Sequence, residues 1–375
     1  MSNGFAPYLL KSINELAGDD DPQFKITPTG FLKMLLSANS VRGARALELS
    51  TPQGQKRQVF VKYQQRYPLS AVQENDNCDI DVSPQYLESE LQNARIAKLG
   101  IYISFADLRR FMDDAVETVK AGNPSTPFMR ELVQSIMTAA NAIVGKMDQR
   151  LLGDVTWGVN AVTGNNSAVT VNINKDATKN DLESGITKIL ADAFENEMWG
   201  NLQIVGSGLF KNYELQKLAS VASLNGVDVS RFTGYQFYGD LYAKASSKFG
   251  TNQVGVFSQG SIGFVDLNKY IGAFAGQLGV SQLFQMTLPV ATGQNDGTVD
   301  SLTFDVQLKP IDCPTTLLNG EGEEVTYDKG YALYISKNYG LWQVPADAYN
   351  AADRLSGVNG ALRYLITNDC VDCGA

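Results

Sequence analysis

One long helix is the feature that most constrains the fold of this chain. Thr126 and Pro127 form a helix start, and apolar residues then recur on one stripe until Gly153 ends the pattern. The stripe comprises Phe128, Leu132, Ile136, Ala140, Ile143, Met147 and Leu151, and Met129, Val133, Met137 and Val144 widen it. About 26 helical residues would span about 39 Å, well above the mean helix length. A helix of this length favours an elongated protein.

A β-hairpin precedes this helix, in the stretch "ARALELSTPQGQKRQVFVKYQQRY" over residues 44–67. Two extended runs, 46–49 and 59–63, flank a polar turn that contains one proline and one glycine. The runs show little apolar alternation, so the hairpin has little core of its own to bury. Because an isolated two-stranded hairpin is marginal in water and an exposed edge invites pairing, we expect it to pack against another surface.

The rest of the chain alternates between helical and strand patterns. "TPTGFLKMLLSA" favours a short helix. Ser104 and Asp107 make a capping-box-like start to a helix that ends at Gly122, and residues 179–197 form an amphipathic helix whose apolar face includes Phe194. "SAVTVNIN", "LQIVG", "LFQMTLPV" and "LTFDVQLKP" are typical of strands, and "VGVFSQGSIGFVDLNKY" places two strand-like runs around a Ser-Gln-Gly-Ser turn. The sequence therefore predicts an α+β protein without internal repeats.

The composition removes most catalytic chemistry. The 375 residues are 44% hydrophobic and 19% charged, as in an ordinary globular protein, and they include no histidine, the commonest general base and metal ligand. Cys370 and Cys373 lie too close to the C-terminus for a helix to lower a thiol pKa, and zinc would need two further ligands. We therefore predict no catalytic residue, no cofactor and no metal site. "VGSGLF" is a tight turn rather than a phosphate loop, and "DNCDIDVSP" is a solvated loop rather than a calcium site.

The charge and the hydropathy pattern restrict the partners. The net charge of −9 argues against a protein that grips nucleic acid through its phosphates, although not against one that encloses it. The uncharged stretch 270–295 contains several glutamines, glycines and a proline, which favours a buried loop-and-strand region over a membrane span. The opening residues show no secretory signal pattern, so we expect synthesis in a reducing cytoplasm and no membrane partner.

The order of arm, hairpin, long helix, mixed α/β region and late hairpin resembles that of the major capsid proteins of tailed bacteriophages, whose fold encapsulin shell proteins share. "STPFMRELVQSIMTAANAIVGKMDQRLLGDV" is similar to the spine helix of that family, "LQIVGSGLFKNYELQKLA" to its axial-domain strand and helix, and "GVFSQGSIGFVDLNKY" to a segment of many capsid chains. "AADRLSGVNGALRY" resembles a C-terminal return strand. The resemblance covers most of the chain and lies in the pattern of elements.

The resemblance implies the tailed-phage capsid fold, with five parts. These are an N-terminal arm (1–43), an extended β-hairpin loop (44–82), a peripheral domain with the spine helix (83–155), an axial domain (156–283) and a return hairpin with C-terminal strands (284–375). It also implies that the extended loop lies over a neighbouring subunit. The candidate contact residues are Gln55, Lys56, Arg57, Val59, Phe60 and Tyr63.

The implied function is that of a structural protein, not an enzyme, which assembles in the host bacterial cytoplasm into hexamers and pentamers of an icosahedral virion capsid. Such a shell would enclose double-stranded DNA without sequence-specific binding, and separate scaffolding and portal proteins are expected. Three alternatives stay open: an encapsulin-like compartment around an enzyme, a phage tail or ring protein, and a soluble enzyme that uses carboxylates or lysine. A β-sandwich without a long helix would favour the ring protein, and a deep substrate pocket would favour the enzyme.

Overall fold

A computed structural model gives the fold of this chain. It describes residues 9–13, 16, 24–36, 45–49, 58–64, 86–91, 94–107, 109–110, 113, 127–172, 186–198, 201–206, 235–240, 252–267, 274–278, 281–291, 301–311, 315–318, 322–327, 329–346 and 357–367. The helices whose bounds lie within these residues include α1 (Gly30–Leu36), α2 (Pro127–Asp154) and α3 (Ile186–Glu195). The predicted α+β class is confirmed by these helices and by the strands below.

The strands follow one another along most of the chain. They are β1 (Arg45–Leu49), β2 (Gln58–Gln64), β3 (Tyr86–Glu90), β4 (Arg95–Ser104), β5 (Val169–Asn172), β6 (Leu202–Gly206), β7 (Tyr235–Gly239), β8 (Gln253–Phe257), β9 (Ile262–Asp266), β10 (Phe274–Leu278), β11 (Ser281–Pro289), β12 (Ser301–Ile311), β13 (Thr315–Leu318), β14 (Glu324–Tyr327), β15 (Gly330–Gln343) and β16 (Ala361–Thr367). The chain divides into two compact units, the first comprising Met1–Pro28, Arg95–Met147 and Asp266–Tyr339, and the second Thr29–Ala94, Asp148–Val265 and Gly340–Ala375.

The sheet of the first unit is built around long antiparallel strands. Its order is β10-β11-β12-β15-β4, and the pairing of Pro289 with Ser301 confirms the predicted late hairpin. Phe284, Phe304 and Ile335 are fully buried within it, as expected for strands that present one face to a core. At the start of this unit, Ile26 forms a bridge beside β11, where its amide donates to the Pro289 carbonyl over 2.8 Å.

The second unit contains a five-stranded sheet in the order β5-β16-β8-β6-β7. Helix α3 packs on this sheet through Ile189 and Ala193, which are fully buried beside Val256 and Leu362. Phe194, predicted on the apolar face of this helix, is instead 73% exposed, so that part of the prediction is wrong. The reason is helical phase, because Phe194 lies one residue beyond the row of Ile189 and Ala193 and turns away from the sheet.

Helix α2 confirms the prediction from the apolar stripe. It begins at Pro127 as expected and ends at Asp154, one residue after the predicted stop. The predicted stripe is buried from Leu132 to Leu151, as are the widening residues Val133, Met137 and Val144. One polar residue, Asp148, is buried on the same face. The two-unit division falls between Met147 and Asp148, within this helix.

The helix start predicted at Ser104 is also confirmed, with the Ser104 side chain as the N-cap and Asp107 bonded to its hydroxyl rather than to its amide. The Asp107 amide donates to Ser104 Oγ over 3.1 Å, and Ser104 Oγ donates to Asp107 Oδ2 over 2.6 Å. Residues 105–107 are helical directly after β4. The predicted end of this helix at Gly122 lies outside the described residues.

The Ser-Gln-Gly-Ser turn joins two strands that belong to different pairings. β8 lies between β16 and β6, whereas β9 pairs with β15. The Ser261 hydroxyl donates to the carbonyls of Ser258 and Gly360, over 2.8 and 3.1 Å, and Gly260 has a φ of 81°. The turn therefore fixes the point at which the chain leaves one sheet, and glycine supplies the backbone conformation that this requires.

Candidate intersubunit surface

The predicted contact residues fall on and beside strand β2. Val59, Phe60 and Tyr63 lie within β2, whereas Gln55, Lys56 and Arg57 lie outside the described residues. β2 pairs antiparallel with β1 in the register Arg45 to Lys62 through Leu49 to Gln58, as the predicted hairpin requires. The connecting turn, residues 50–57, lies outside the described residues.

A third strand joins this hairpin, which the sequence did not indicate. β3 pairs antiparallel with β2, with Phe60 opposite Glu90 and Gln64 opposite Tyr86, so β2 is the central strand of a three-stranded sheet. The sequence of β3 is Tyr-Leu-Glu-Ser-Glu, which has neither the β-branched residues nor the regular alternation that signal a strand. The expectation of a two-stranded hairpin was therefore incomplete.

The register divides the sheet into two unlike faces. Directly paired residues share a face and successive residues alternate, so Val59, Val61 and Tyr63 fall on one face of β2. The partners on that face are Ala46, Glu48, Leu87 and Ser89. Five of these seven positions carry apolar or aromatic residues. This surface, hereafter the apolar face, comprises Ala46, Glu48, Val59, Val61, Tyr63, Leu87 and Ser89.

The opposite face carries most of the charge. One row across the three strands consists of Arg45, Lys62 and Glu88, and the next row consists of Leu47, Phe60 and Glu90. Phe60 therefore falls on the other face from Val59 and Tyr63, so the predicted contact residues do not form one continuous surface. The period of two residues along a strand makes this division sensitive to register, which the sequence alone did not supply.

The last strand of this sheet leads to a tightly packed anchor in the second unit. Leu91, directly after β3, is buried. A Cβ atom built on Gly340 would lie 2.5 Å from Leu91 Cδ2, so only a glycine leaves room for this side chain. The anchor fixes one end of the three-stranded sheet to β15.

A buried lysine is the nearest feature to an enzyme-like site in the described part of the chain. Lys337 on β15 is 1% exposed, and its Nζ donates to Asp266 Oδ1 over 2.6 Å and to the Thr303 carbonyl. Burial lowers the pKa of Lys337 and raises the pKa of Asp266, and the attraction between the two charges opposes both shifts. Because the ammonium is enclosed by its partners, this arrangement fits a structural ion pair rather than a group that meets a substrate.

Other predicted features can be placed only in part. Cys78, Cys313, Cys370 and Cys373 and the "DNCDIDVSP" loop lie outside the described residues, and of "VGSGLF" only Val205 and Gly206 are described, at the end of β6. Among the described residues there is no cluster of three or more His, Cys, Asp or Glu side chains that could hold a metal ion. No helix within the described ranges is long and apolar enough to cross a membrane.

Two buried charged residues have a signal in the sequence, because each interrupts an apolar pattern. Asp148 interrupts the apolar stripe of α2, and Lys337 interrupts the apolar alternation of β15. Charged residues are almost never fully buried unless they are paired, so each marks a specific partner. Their partners, Asp240 and Asp266, lie far away in sequence and could not be identified without the fold.

No protein-family model matches the sequence, and no curated protein matches it significantly. Solved structures do share similarity with it over most of its length. A chain from Mycobacterium phage Cain has a TM-score of 0.42 with 13% identity, covering 92% of each chain. The virus-like particle from Pyrococcus furiosus has a TM-score of 0.31 with 9% identity, covering 96% of each chain.

A third similar structure is the mature capsid of bacteriophage PhiM1, with a TM-score of 0.37 and 10% identity, covering 84% of each chain. All three TM-scores lie below 0.5, so the function proposed below rests on the residues of this chain and not on these neighbours.

Proposed function

We propose that this chain is a major capsid protein, a structural subunit that assembles with copies of itself into an icosahedral shell around a double-stranded DNA phage genome. The observation that carries the proposal is the apolar face of the β1–β2–β3 sheet. Each apolar residue removed from water contributes to stability at about 25 cal/mol per Å² of buried surface, so such a face favours contact with another protein surface.

A second copy of the chain is the partner that this surface fits best. A surface that meets another patch of an identical chain repeats at every copy, and such contacts close into rings and shells. The 28-residue helix α2, roughly 42 Å long at the standard rise, supports the proposal because it suits an extended wall element. The contacts of Gln55, Lys56 and Arg57 in the adjoining turn are part of the same proposal.

The acidic composition supports enclosure of DNA rather than binding to it. A net charge of −9 repels phosphates, so packaged DNA would be held by the closed wall and not by sequence-specific contacts. Hexamers and pentamers in a virion capsid, separate scaffolding and portal proteins, assembly in the host cytoplasm and the absence of enzymatic activity belong to this proposal.

Two charge substitutions on strand β2 test the role of the apolar face. Val61→Lys places a charge on the apolar face, whereas Gln64→Lys adds the same charge on the opposite face of the same strand. We expect both subunits to fold, with unchanged circular dichroism, but only Val61→Lys to prevent assembly, as measured by light scattering and negative-stain microscopy. Normal shells from Val61→Lys, or equal failure of both variants, would contradict the assigned face.

The cargo distinguishes a virus shell from an encapsulin-like compartment. Particles purified from phage-producing cells after nuclease treatment should contain protected double-stranded DNA if the proposal holds. Particles that instead contain a stoichiometric enzyme would identify the compartment alternative.

A further inference from the structure

Two aspartates lie buried beside each other in the second unit. Asp148, on α2, is 1% exposed, and Asp240, directly after β7, is 6% exposed. Two carboxylates in contact away from water cannot both remain charged at low cost, because each charge is poorly solvated and repels the other. A proton or a cation between the two carboxyl groups would remove this cost.

The oxygens of Asp148 have different surroundings. Oδ1 accepts a hydrogen bond from the Leu32 amide over 2.6 Å, in the first turn of α1. Oδ2 is buried and has no hydrogen-bond donor beside it among the described residues, and the carboxyl group of Asp240 acts on the same side chain. A backbone N–H that donates to a carboxylate oxygen stabilises its charged form, so Oδ1 is where the charge of the pair is best placed.

Asp240 contacts the same turn of α1. A Cβ built on Gly30 would lie 2.5 Å from Asp240 Cβ, and Gly30 has a φ of +57° that disfavours other residues. Six of the seven residues of α1 are buried, and the Phe31 ring lies 5.3 Å from that of Phe257. The aspartate pair therefore lies directly beneath the start of a buried helix.

We propose that Asp148 and Asp240 share one proton, and that this singly charged pair is a proton-controlled lock that holds the first turn of α1 in the second unit. Burial, followed by the charge of Asp240, raises the pKa of Asp148 well above its usual range, which supports the assignment. A proton fits better than a metal ion, because the described residues provide no third carboxylate, thiol or imidazole at this position.

The elements that carry and surround the pair hold other titratable groups. They are Lys33 on α1, Arg130, Glu131, Lys146, Arg150 and Asp154 on α2, and Tyr235 and Tyr238 on β7. The charge that acts on Asp148 is that of Asp240, and the hydrogen bond from Leu32 partly opposes it. The lock therefore responds to the protonation of the pair itself.

The direction of the pH dependence follows from the raised pKa. The folded state binds the shared proton more tightly than the unfolded chain does, so its contribution is fully present below the unfolded pKa, about 3.9 for aspartate. The contribution is lost as the pH rises through the folded pKa of the pair. Above that pH, two adjacent negative charges should loosen α1, and the protein should open locally there before it unfolds globally.

The test compares wild type with Asp148→Asn. The asparagine oxygen still accepts from Leu32, while its amide nitrogen donates permanently to Asp240 and so replaces the shared proton. Hydrogen exchange of the Leu32 amide, expressed as protection relative to the unstructured rate, is measured across the pH range from acid to alkaline. Protection in wild type should fall about tenfold per pH unit between the unfolded pKa of about 3.9 and the folded pKa of the pair and level off above it, whereas protection in Asp148→Asn should stay constant.

Asp154→Asn is the matched control, because it removes a carboxylate from the same helix outside the pair, and it should follow wild type. If protection of the Leu32 amide changes with pH in the same way in wild type and in Asp148→Asn, the proposal is overturned. Protection restored at high pH by added magnesium or calcium chloride would also overturn it, since a cation would then occupy the site. If Asp148→Asn does not fold, Asp240→Asn replaces the other member of the pair and should likewise remove the pH dependence of protection. If neither variant folds, both carboxyl groups are required in their charged form, which would contradict the shared proton.

Discussion

Leu91 packs directly on Gly340, so closely that a Cβ atom on the glycine would lie 2.5 Å from Leu91 Cδ2. The contact joins the residue that follows the three-stranded sheet to the long strand β15. Within the described residues, this contact attaches the three-stranded sheet to β15. We propose that the apolar face of the same sheet contacts a neighbouring subunit.

Gly340→Ala should therefore lower the free energy of unfolding by about 1–3 kcal/mol, because an added methyl group overpacks a site that is already filled. Urea unfolding followed by fluorescence measures this change. Leu91→Ala alone should also destabilise the protein, by about 2–4 kcal/mol, since it leaves a cavity. In the double variant the new methyl group occupies the vacated space, so the combined loss should be smaller than the sum of the two. Simple additivity would contradict the contact.

The buried Lys337 makes a second prediction. Asp266→Asn removes the negative charge 2.6 Å from Nζ and leaves the lysine without its counterion. Breaking a fully buried pair costs about 3–5 kcal/mol, and because the Asp266 side chain is 36% exposed we expect about 1–3 kcal/mol at neutral pH.

The pH dependence of this variant has a definite sign. The pKa of Lys337 is already lowered by burial, and loss of Asp266 should lower it further. The unfolded chain then binds more protons than the folded one, so the variant should regain stability as the pH rises toward the usual lysine value of about 10.4. Unfolding measured at neutral and alkaline pH tests this, with Lys337→Met combined with Asp266→Asn as the control that should remove the recovery.

Helix α3 provides a matched pair of substitutions. Phe194 is 73% exposed, although it was predicted on the apolar face of this helix, and Ile189 is fully buried. Phe194→Ser should change the free energy of unfolding of the subunit by less than about 0.5 kcal/mol, whereas Ile189→Ala should cost about 2–4 kcal/mol. Thermal unfolding of the unassembled subunit measures both, and a large loss from Phe194→Ser would show that this side chain is covered within the subunit.

These results show what the sequence could and could not predict. Helix α2 was predicted to within one residue at its end because its stripe repeats over seven turns and begins at a proline. The late hairpin was predicted because β11 and β12 alternate clearly on either side of a turn. Strand β3 was not predicted, because two glutamates and a serine occupy its five residues and only pairing with β2 makes it a strand.

The candidate intersubunit surface was also predicted only in part. The position of β2 followed from its own residues, but the separation of Val59 from Phe60 required the register with β1 and β3. The Asp148–Asp240 pair depends on tertiary packing, since the two residues come from a helix and a strand end that are distant in the chain. In both cases the local propensity of the residues determined the secondary-structure element, whereas contacts between distant segments determined which side chains lie together.

The turn between β1 and β2 tests the extended loop separately from its strands. Leu49 pairs with Gln58, so residues 50–57 can be replaced by Asn-Gly without removing a paired residue. The subunit should keep its circular dichroism and its unfolding temperature, while assembly should fail or give malformed particles because Gln55, Lys56 and Arg57 are lost. Replacement of the same residues by glycine and serine at equal length separates the effect of sequence from that of length, and normal shells from both variants would contradict the role of the turn.

The most direct test of the central claim is the particle mass of the purified wild-type chain, measured by mass photometry and negative-stain microscopy over a range of protein and salt concentrations. We predict rings and closed shells of many copies, which become more abundant as the protein concentration rises. A strictly monomeric protein under every condition, with no particles in the micrographs, would contradict the proposal that this chain builds a capsid.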